Sequence, residues 1–204
     1  MRCFFMKKLI LTFMVACLLC FTSAANVQAE DAKDSTKIGL YIEPKIGVTA
    51  FTGEYLQREG HSGSGWDSAA GIGGGLAVGY DFWEKLTIPL RFEAEYMIRS
   101  TGHMEADSKS FRAKAPQTMF ANLYFDFHNE TDFTPYVGGG VGAAFVGPEN
   151  NFAWNIGGGV SYDISENWKA SLGYRFVSFG KTENNHCKGL LYGHEALLGI
   201  RYTF

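Results

Sequence analysis

From Ile38 to the C-terminus, apolar and polar residues alternate along most of the chain. The clearest run is Leu86–Arg99, in which every second residue from Leu86 to Ile98 is apolar. The opposite face carries Thr87, Pro89, Arg91, Glu93, Glu95, Met97 and Arg99. A period of two is that of a β-strand with two different faces. The pattern predicts a strand well beyond the usual length of about 5–6 residues.

The same alternation predicts eight strands. They are Ile38–Phe51, Gly71–Phe82, Leu86–Arg99, Gln117–Phe127, Phe133–Val146, Phe152–Ile164, Trp168–Phe179 and Tyr192–Phe204. Three connections are tight turns, namely Trp83–Lys85, His128–Asp132 and Ser165–Asn167. The others are predicted loops, namely Thr52–Ala70, Ser100–Pro116, the shorter Gly147–Asn151, and Gly180–Leu191. Short turns at one end and loops at the other are typical of an outer-membrane barrel. We therefore predict an all-β fold, an eight-stranded antiparallel transmembrane β-barrel.

A soluble β-sandwich is the alternative fold, since its strands also alternate. Two features favour the barrel. The predicted strands are long, and their polar faces combine small residues with charges of both signs, which suits a confined lumen.

The first residues have the three parts of a secretory signal. Arg2, Lys7 and Lys8 precede the apolar run Leu9–Phe21, and small residues follow up to Ala29. The apolar run is shorter than the roughly 20 residues of a membrane-spanning helix. We predict a signal peptide over residues 1–29, a short periplasmic lead-in over 30–37, and the barrel domain over 38–204.

Composition narrows the class further. The chain is 46% hydrophobic and 19% charged, with a formal net charge of −3. These values exclude a disordered chain and a strongly basic nucleic-acid binder. Without residues 1–29, 15 basic residues remain against 21 acidic ones, a net charge of −6, and Cys187 is the single cysteine left. We expect no nucleic-acid partner, metal or cofactor.

The charged residues on the inward face number seven acids and six bases. They are Glu43, Lys45, Asp81, Arg91, Glu93, Glu95, Arg99, Asp126, Asp163, Lys169, Arg175, Glu195 and Arg201. Because buried charge is tolerated mainly when it is paired, the near balance indicates a salt-bridge network that fills the lumen. The alternative is a narrow ion path or a small polar-ligand site centred on Arg91, Glu93, Glu95 and Arg99.

Aromatic residues cluster at the strand ends, where the two membrane interfaces select them. The turn end carries Phe82, Trp83, Phe127, Trp168, Tyr202 and Phe204, and the loop end carries Phe51, Phe145, Phe152 and Trp154. We predict that they form two interface girdles.

Three segments carry a family resemblance: Tyr136–Gly142, Trp154–Val160 and the ending Leu198–Phe204. They resemble the eight-stranded outer-membrane barrel family of opacity-type surface antigens and OmpA-like and OmpX-like barrels. The resemblance implies the bacterial outer membrane, with its lipid and lipopolysaccharide as neighbours. It also implies that Ile200, Tyr202 and Phe204 form the signal that the barrel-assembly machinery reads.

The resemblance further implies a non-enzymatic surface protein, either an adhesin or surface antigen or an envelope-structural barrel. Its loops would face the exterior and bind a host or surface ligand. Two alternatives stay open. One is a small porin with a narrow polar lumen. The other is an enzyme acting on lipid A or phospholipid through Ser178, His194 and Glu183, although we expect no catalytic site.

Overall fold

The computed structural model describes residues 38–58, 66–100, 116–146, 149–184 and 187–204. Within these ranges, the side chains of residues 53–58, 66–68, 149, 181–184 and 187–189 are outside the description. The predicted signal peptide and lead-in lie outside the described residues. No helix in the described ranges is long and apolar enough to cross a membrane.

Eight strands and one short helix make up the described chain. They are β1 (Leu40–Arg58), β2 (Trp66–Asp81), α1 (Trp83–Leu86), β3 (Leu90–Arg99), β4 (Gln117–Asp126), β5 (Phe133–Val146), β6 (Glu149–Asp163), β7 (Trp168–Asn184) and β8 (Cys187–Thr203). Each strand pairs antiparallel with its sequence neighbours, and β1 pairs with β8. The sheet is a closed barrel, which confirms the predicted fold class.

The strand register sets the tilt of the barrel. Starting at Arg99 in β3, successive partners are Gly73, Gly47, Leu197, Gly173, Gly159, Tyr136 and Asp126. The Asp126 amide donates to the Pro89 carbonyl at 3.0 Å. One circuit around the barrel therefore starts at Arg99 and ends at Pro89, ten residues earlier in the chain and just before β3. With usual strand rise and spacing, this shear corresponds to a tilt of about 40°. Each residue then climbs about 2.5 Å along the barrel axis.

Four neighbouring strands, β7, β8, β1 and β2, extend past their predicted boundaries at the loop end of the barrel. β1 continues to Arg58 and β2 already begins at Trp66, so much of the predicted loop Thr52–Ala70 is strand. Likewise, β7 and β8 take up most of the predicted loop Gly180–Leu191. Cross-strand pairing explains the difference, because Glu54 pairs with both Trp66 and Leu190. From the register, β7, β8, β1 and β2 rise about 15 Å beyond the ends of β3 and β4.

The predicted start of the third strand is wrong. Residues Trp83–Leu86 form one helical turn, and Thr87 follows in the left-handed conformation with φ of 54°. The Asp81 carboxylate accepts a hydrogen bond from the Trp83 amide at 3.0 Å. Leu86 and Ile88 still face outward, which preserves the sequence alternation without a strand.

The two faces of the wall differ as the alternation requires. Lipid-facing aliphatic side chains such as Ile46, Ile72 and Ile156 are 65%, 68% and 60% exposed. Charged and polar side chains on the alternate positions are buried inside. The fold is therefore apolar outside and polar inside, the inverse of a soluble protein.

Candidate functional site

The lumen holds a continuous chain of ion pairs, which we call the charge ladder. In order from the turn end it consists of Asp126, Arg91, Glu93, Lys45, Glu95, Arg175, Glu195 and Arg99. It begins with a two-pronged contact, in which Arg91 donates from Nε and Nη2 to Asp126 at 2.9 and 3.2 Å. Such bidentate pairing fixes the guanidinium geometrically.

Lys45 joins the lower and middle parts of the ladder. Its ammonium donates to Glu93 at 2.6 Å and to Glu95 at 3.1 Å. Glu93 also accepts from Asn122 at 3.3 Å and from Tyr124 at 3.4 Å. Because Glu93 and Glu95 are fully buried, these donors replace the water that the carboxylates lose on folding.

Two guanidiniums share one carboxylate at the top of the ladder. Arg175 donates to Glu95 at 2.7 Å and to Glu195 at 2.6 Å. Arg99 donates from Nε and Nη2 to Glu195, the latter at 3.1 Å. Thr49 adds a further hydrogen bond to Glu195 at 3.0 Å.

A separate pair lies beside the ladder at the turn end. Arg201 donates to Glu43 at 3.0 Å, and Ser171 donates to the other oxygen of Glu43 at 2.5 Å. Tyr41 links this pair to the ladder, since the Arg201 guanidinium lies 4.8 Å from its ring and Arg91 donates to its hydroxyl at 3.2 Å. The ladder and this pair together hold five acids and five bases.

Three of the predicted lumen charges lie apart from the ladder. Asp81 is buried, and its described partner is the Trp83 amide in the adjoining turn. Asp163 and Lys169 pair with each other at 3.1 Å at the turn end, where the Asp163 side chain is 40% exposed. The alternation places these residues on the inward face, but their positions at the strand ends keep them out of the central chain of contacts.

An apolar cluster closes the loop end of the lumen. This apolar cap consists of Phe51, Phe120, Ala144, Ala153, Val177 and Phe179, all at most 4% exposed. The Phe51 and Phe179 rings pack at 5.8 Å, and the Arg99 guanidinium lies 5.3 Å from the Phe179 ring. The cap was missed in the sequence, although Phe51 has the same phase as Lys45 and Thr49 and could have been assigned to the interior on that ground.

Glycines make room for the large inward side chains. A Cβ on Gly79 would overlap the Tyr41 ring, and one on Gly199 would collide with the Glu43 carboxylate. Beside the ladder remains a cavity of about 30 Å³ with both polar and apolar lining. Its lining includes Lys45, Asn155 and Ser171. A space of this size accommodates roughly one or two water molecules, which these polar side chains could bind.

Aromatic rings surround the turn end of the barrel. Ring pairs lie 3.9–5.1 Å apart: Tyr80 with Phe82, Trp83 with His128, Phe125 with Phe127, Phe133 with Tyr162, and Tyr202 with both Trp168 and Phe204. The predicted interface residues Phe82, Trp83, Phe127, Trp168 and Tyr202 all lie in this ring, which we call the inner girdle. Ile200 faces outward just above it and is 43% exposed.

The loop end carries aromatic residues mainly on one side. Trp154, Phe176, Tyr192, His194 and Tyr174 form an aromatic patch on the outer face of β6–β8. The expectation that Phe51 lies at the interface is wrong, because it points into the apolar cap. Phe145 is also buried, at 5% exposure, rather than open to lipid.

The candidate catalytic residues do not form a hydrogen-bonded triad in the described chain. His194 Nδ1 contacts the Tyr174 hydroxyl at 2.6 Å. Ser178 is 6% exposed, and its cross-strand partners are Trp154 and Tyr192. The Glu183 side chain lies outside the described residues.

A closed eight-stranded barrel with a polar, paired interior and a lipid-facing apolar band defines a membrane β-barrel of the outer-membrane class. The sequence comparison agrees with this class. Residues 13–204 match the model of the outer membrane protein beta-barrel domain. The chain belongs to that family and lies in the bacterial outer membrane, which confirms the predicted resemblance and location.

Individual relatives are more distant. Outer membrane protein PagN of Salmonella typhimurium is 29% identical over 87% of this chain and 95% of its own length. A Rickettsia conorii protein named as a candidate adhesin is 26% identical over 66% of this chain and 68% of its own. The crystal structure of Neisserial surface protein A superposes with a TM-score of 0.56 at 21% identity, covering 81% of this chain and 97% of the other. These relatives agree with a surface barrel of the outer membrane.

Proposed function

We propose that this protein is a closed, non-conducting surface barrel that binds a ligand outside the cell, as an adhesin does. The observation that carries the proposal is the extension of β7, β8, β1 and β2 past the lipid-facing band. Regular strand pairing up to Arg58 and Cys187 provides a rigid support for the segments that connect these strands. Binding residues are commonly carried on loops that a rigid scaffold positions. The Rickettsia conorii relative, which is named as a candidate adhesin, supports the same role.

Adhesion of whole cells tests this proposal. The full chain is expressed in a non-adherent Gram-negative strain, and attachment to cultured epithelial cells is counted. We expect expression to raise attachment several-fold, and replacement of residues 59–65 or 101–115 by glycine–serine segments of equal length to remove the gain. The matched control replaces the turn residues 129–132 at the opposite end. Equal attachment with and without the barrel at the cell surface would refute the adhesive role.

Closure of the lumen is the second part of the proposal. Two independent seals lie in series, the charge ladder in the middle and the apolar cap at the loop end. Ion pairs at 2.6–3.1 Å in the ladder and rings packed at 5.8 Å in the cap occupy the lumen, and the cavity beside the ladder holds only about 30 Å³. An eight-stranded barrel is just wide enough for side chains to fill it.

Planar-bilayer recording separates this proposal from a small porin. We expect no stable conductance from the native barrel or from the variant Phe51→Ala with Phe179→Ala, since the ladder still fills the lumen. Weakening the ladder in the same variant by Lys45→Ala is expected to open discrete conductance. A steady conductance of the native protein would favour the porin.

We also propose that the barrel has no enzymatic activity. The Tyr174–His194 contact supports this, because it occupies Nδ1, the imidazole nitrogen that the acidic member of a catalytic triad would need. Mass spectrometry of lipid A and phospholipids from cells with and without the protein provides the test. A lost or transferred acyl chain that depends on Ser178 or His194 would contradict the proposal.

A further inference from the structure

One ring pair of the inner girdle differs from the others in its geometry. Trp83 and His128 lie face to face, with their ring centroids 3.9 Å apart and an angle of 7° between the ring planes. The other ring pairs of the girdle are tilted or edge-on, with angles of 43–89°. Neutral aromatic rings adopt offset and edge-on arrangements alike, whereas a cation is attracted to the face of an aromatic ring. The contact between Trp83 and His128 thus has the geometry that a charged imidazolium requires.

A hydrogen bond to the main chain fixes the position of the imidazole. His128 Nδ1 lies 3.2 Å from the carbonyl oxygen of Asp126. Because a carbonyl oxygen only accepts hydrogen bonds, Nδ1 carries a proton, and Nε2 is the nitrogen that gains or loses one. Proton uptake at Nε2 therefore leaves this hydrogen bond in place and turns the ring into a cation over the face of the indole.

Acidic residues predominate around the stack. The turns that contain Trp83 and His128, together with the strand ends that they join, carry five acids and two bases, namely Asp81, Glu84, Lys85, Arg91, Asp126, Glu130 and Asp132. Arg91 is already paired with Asp126 at 2.9 Å, while Glu130 and Asp132 are exposed in the same turn as His128. An imidazolium at His128 therefore has neighbours mainly of the opposite charge.

The stack links two turns on either side of β3. Trp83 lies in the turn between β2 and β3, and His128 lies in the turn between β4 and β5, so the contact reaches across the start of β3. Residues 87–89, between α1 and β3, are not part of a strand. The strength of the stack therefore affects how firmly the turn between β2 and β3 is held against the rest of the barrel.

Histidine is the side chain whose charge ordinarily changes between pH 5 and pH 8. We propose that Trp83 and His128 form a proton-dependent latch, which holds the turn between β2 and β3 firmly when His128 is protonated and weakly when it is neutral. Because the closed latch holds the proton, its stabilisation of the folded barrel is present at pH 5 and is lost as the pH rises to 8. The latch is independent of the proposed adhesive function.

A double-mutant cycle at two pH values provides the test. The native barrel, Trp83→Leu, His128→Gln and the double variant are unfolded by urea in lipid vesicles at pH 5 and pH 8, and the coupling between the two positions is obtained from the four unfolding equilibria. The matched control is the cycle of Phe133→Leu and Tyr162→Leu, because these girdle rings also pack, at 4.9 Å, but the pair contains no histidine. Heat-modifiable migration on a gel confirms that each variant is folded.

We expect the coupling between Trp83 and His128, expressed as a ratio of unfolding equilibrium constants, to be roughly three- to tenfold larger at pH 5 than at pH 8, as a cation–π contact at a partly exposed site would give. The coupling in the control cycle should be equal at the two pH values. Equal coupling of Trp83 and His128 at both pH values, or a larger coupling at pH 8, would overturn the latch and leave an ordinary ring contact.

Fluorescence of the folded barrel gives a second readout that needs no unfolding. Trp83 is kept as the single tryptophan by the changes Trp66→Phe, Trp154→Phe and Trp168→Phe. A protonated imidazole in contact with an indole quenches its emission, so we expect the emission to fall from pH 8 to pH 5 in this protein, but not when His128→Gln is added. Emission that does not change with pH, or that falls equally in the presence of His128→Gln, would contradict the proposal.

Discussion

Glu195 connects the upper half of the charge ladder, and Glu195→Gln is the most informative single change. The carboxylate is fully buried and accepts two hydrogen bonds from Arg99, one from Arg175 and one from Thr49. Glutamine has nearly the same shape but no charge, and it offers one acceptor oxygen instead of two. Two buried guanidiniums then share a neutral amide, and the ladder carries one uncompensated positive charge.

The expected cost is about 3–5 kcal/mol, the usual penalty for removing one partner of a buried ion pair. The free energy of unfolding is measured by urea titration of the barrel in lipid vesicles. Lys169→Gln is the matched control, because it breaks the half-exposed pair with Asp163 at the turn end. An exposed pair contributes roughly 0–1 kcal/mol, so the control is expected to unfold almost as the native protein does.

A double-mutant cycle separates the charge effect from loss of packing. Arg99→Gln in the Glu195→Gln background restores the balance of charge, so the double variant should be more stable than the two single losses predict. We expect a coupling free energy of about 1–3 kcal/mol, as for residues in one ion-pair network. Strict additivity, or a Glu195→Gln variant as stable as Lys169→Gln, would refute the ladder as a stabilising network.

Two further predictions concern the wall and the C-terminus. Gly157→Ala should destabilise the barrel by about 1–3 kcal/mol in the same urea titration, because its methyl group would press against the Arg175 Cβ. Gly74→Ala should change the stability by less than about 1 kcal/mol, since the nearest atom to its Cβ is 3.7 Å away, and equal losses at both glycines would contradict the crowding argument. Deletion of Phe204, the last residue of the predicted assembly signal, should lower the folded fraction in outer membranes several-fold in pulse-labelled cells. The same variant, purified and unfolded, should still refold in detergent. Unchanged assembly of the variant in cells would count against the signal.

Much of the fold was predictable because a β-strand has a period of two. The alternation around Arg91–Arg99 assigns each residue to the lumen or to lipid without knowledge of its neighbours. The strand ends were less predictable. Residues 52–58 pair with β8, and the stabilisation of this part of the strand comes from residues more than a hundred positions away in sequence. The turn at Trp83–Lys85 was predicted, but its continuation to Pro89 was not, because Leu86 and Ile88 continue the alternating pattern without strand pairing.

The sequence by itself determined that charged side chains of both signs face a narrow interior. The tertiary structure decided which charges meet. Closure of β1 on β8 brings Thr49 to Glu195, and the curvature of the sheet brings Lys45 on β1 to Glu93 on β3. Closure and tilt also place Phe51 beside Phe179 as a cap and leave Asp163 and Lys169 at the rim. Periodicity is a local property of the chain, whereas these contacts depend on the ten-residue shear of the closed sheet.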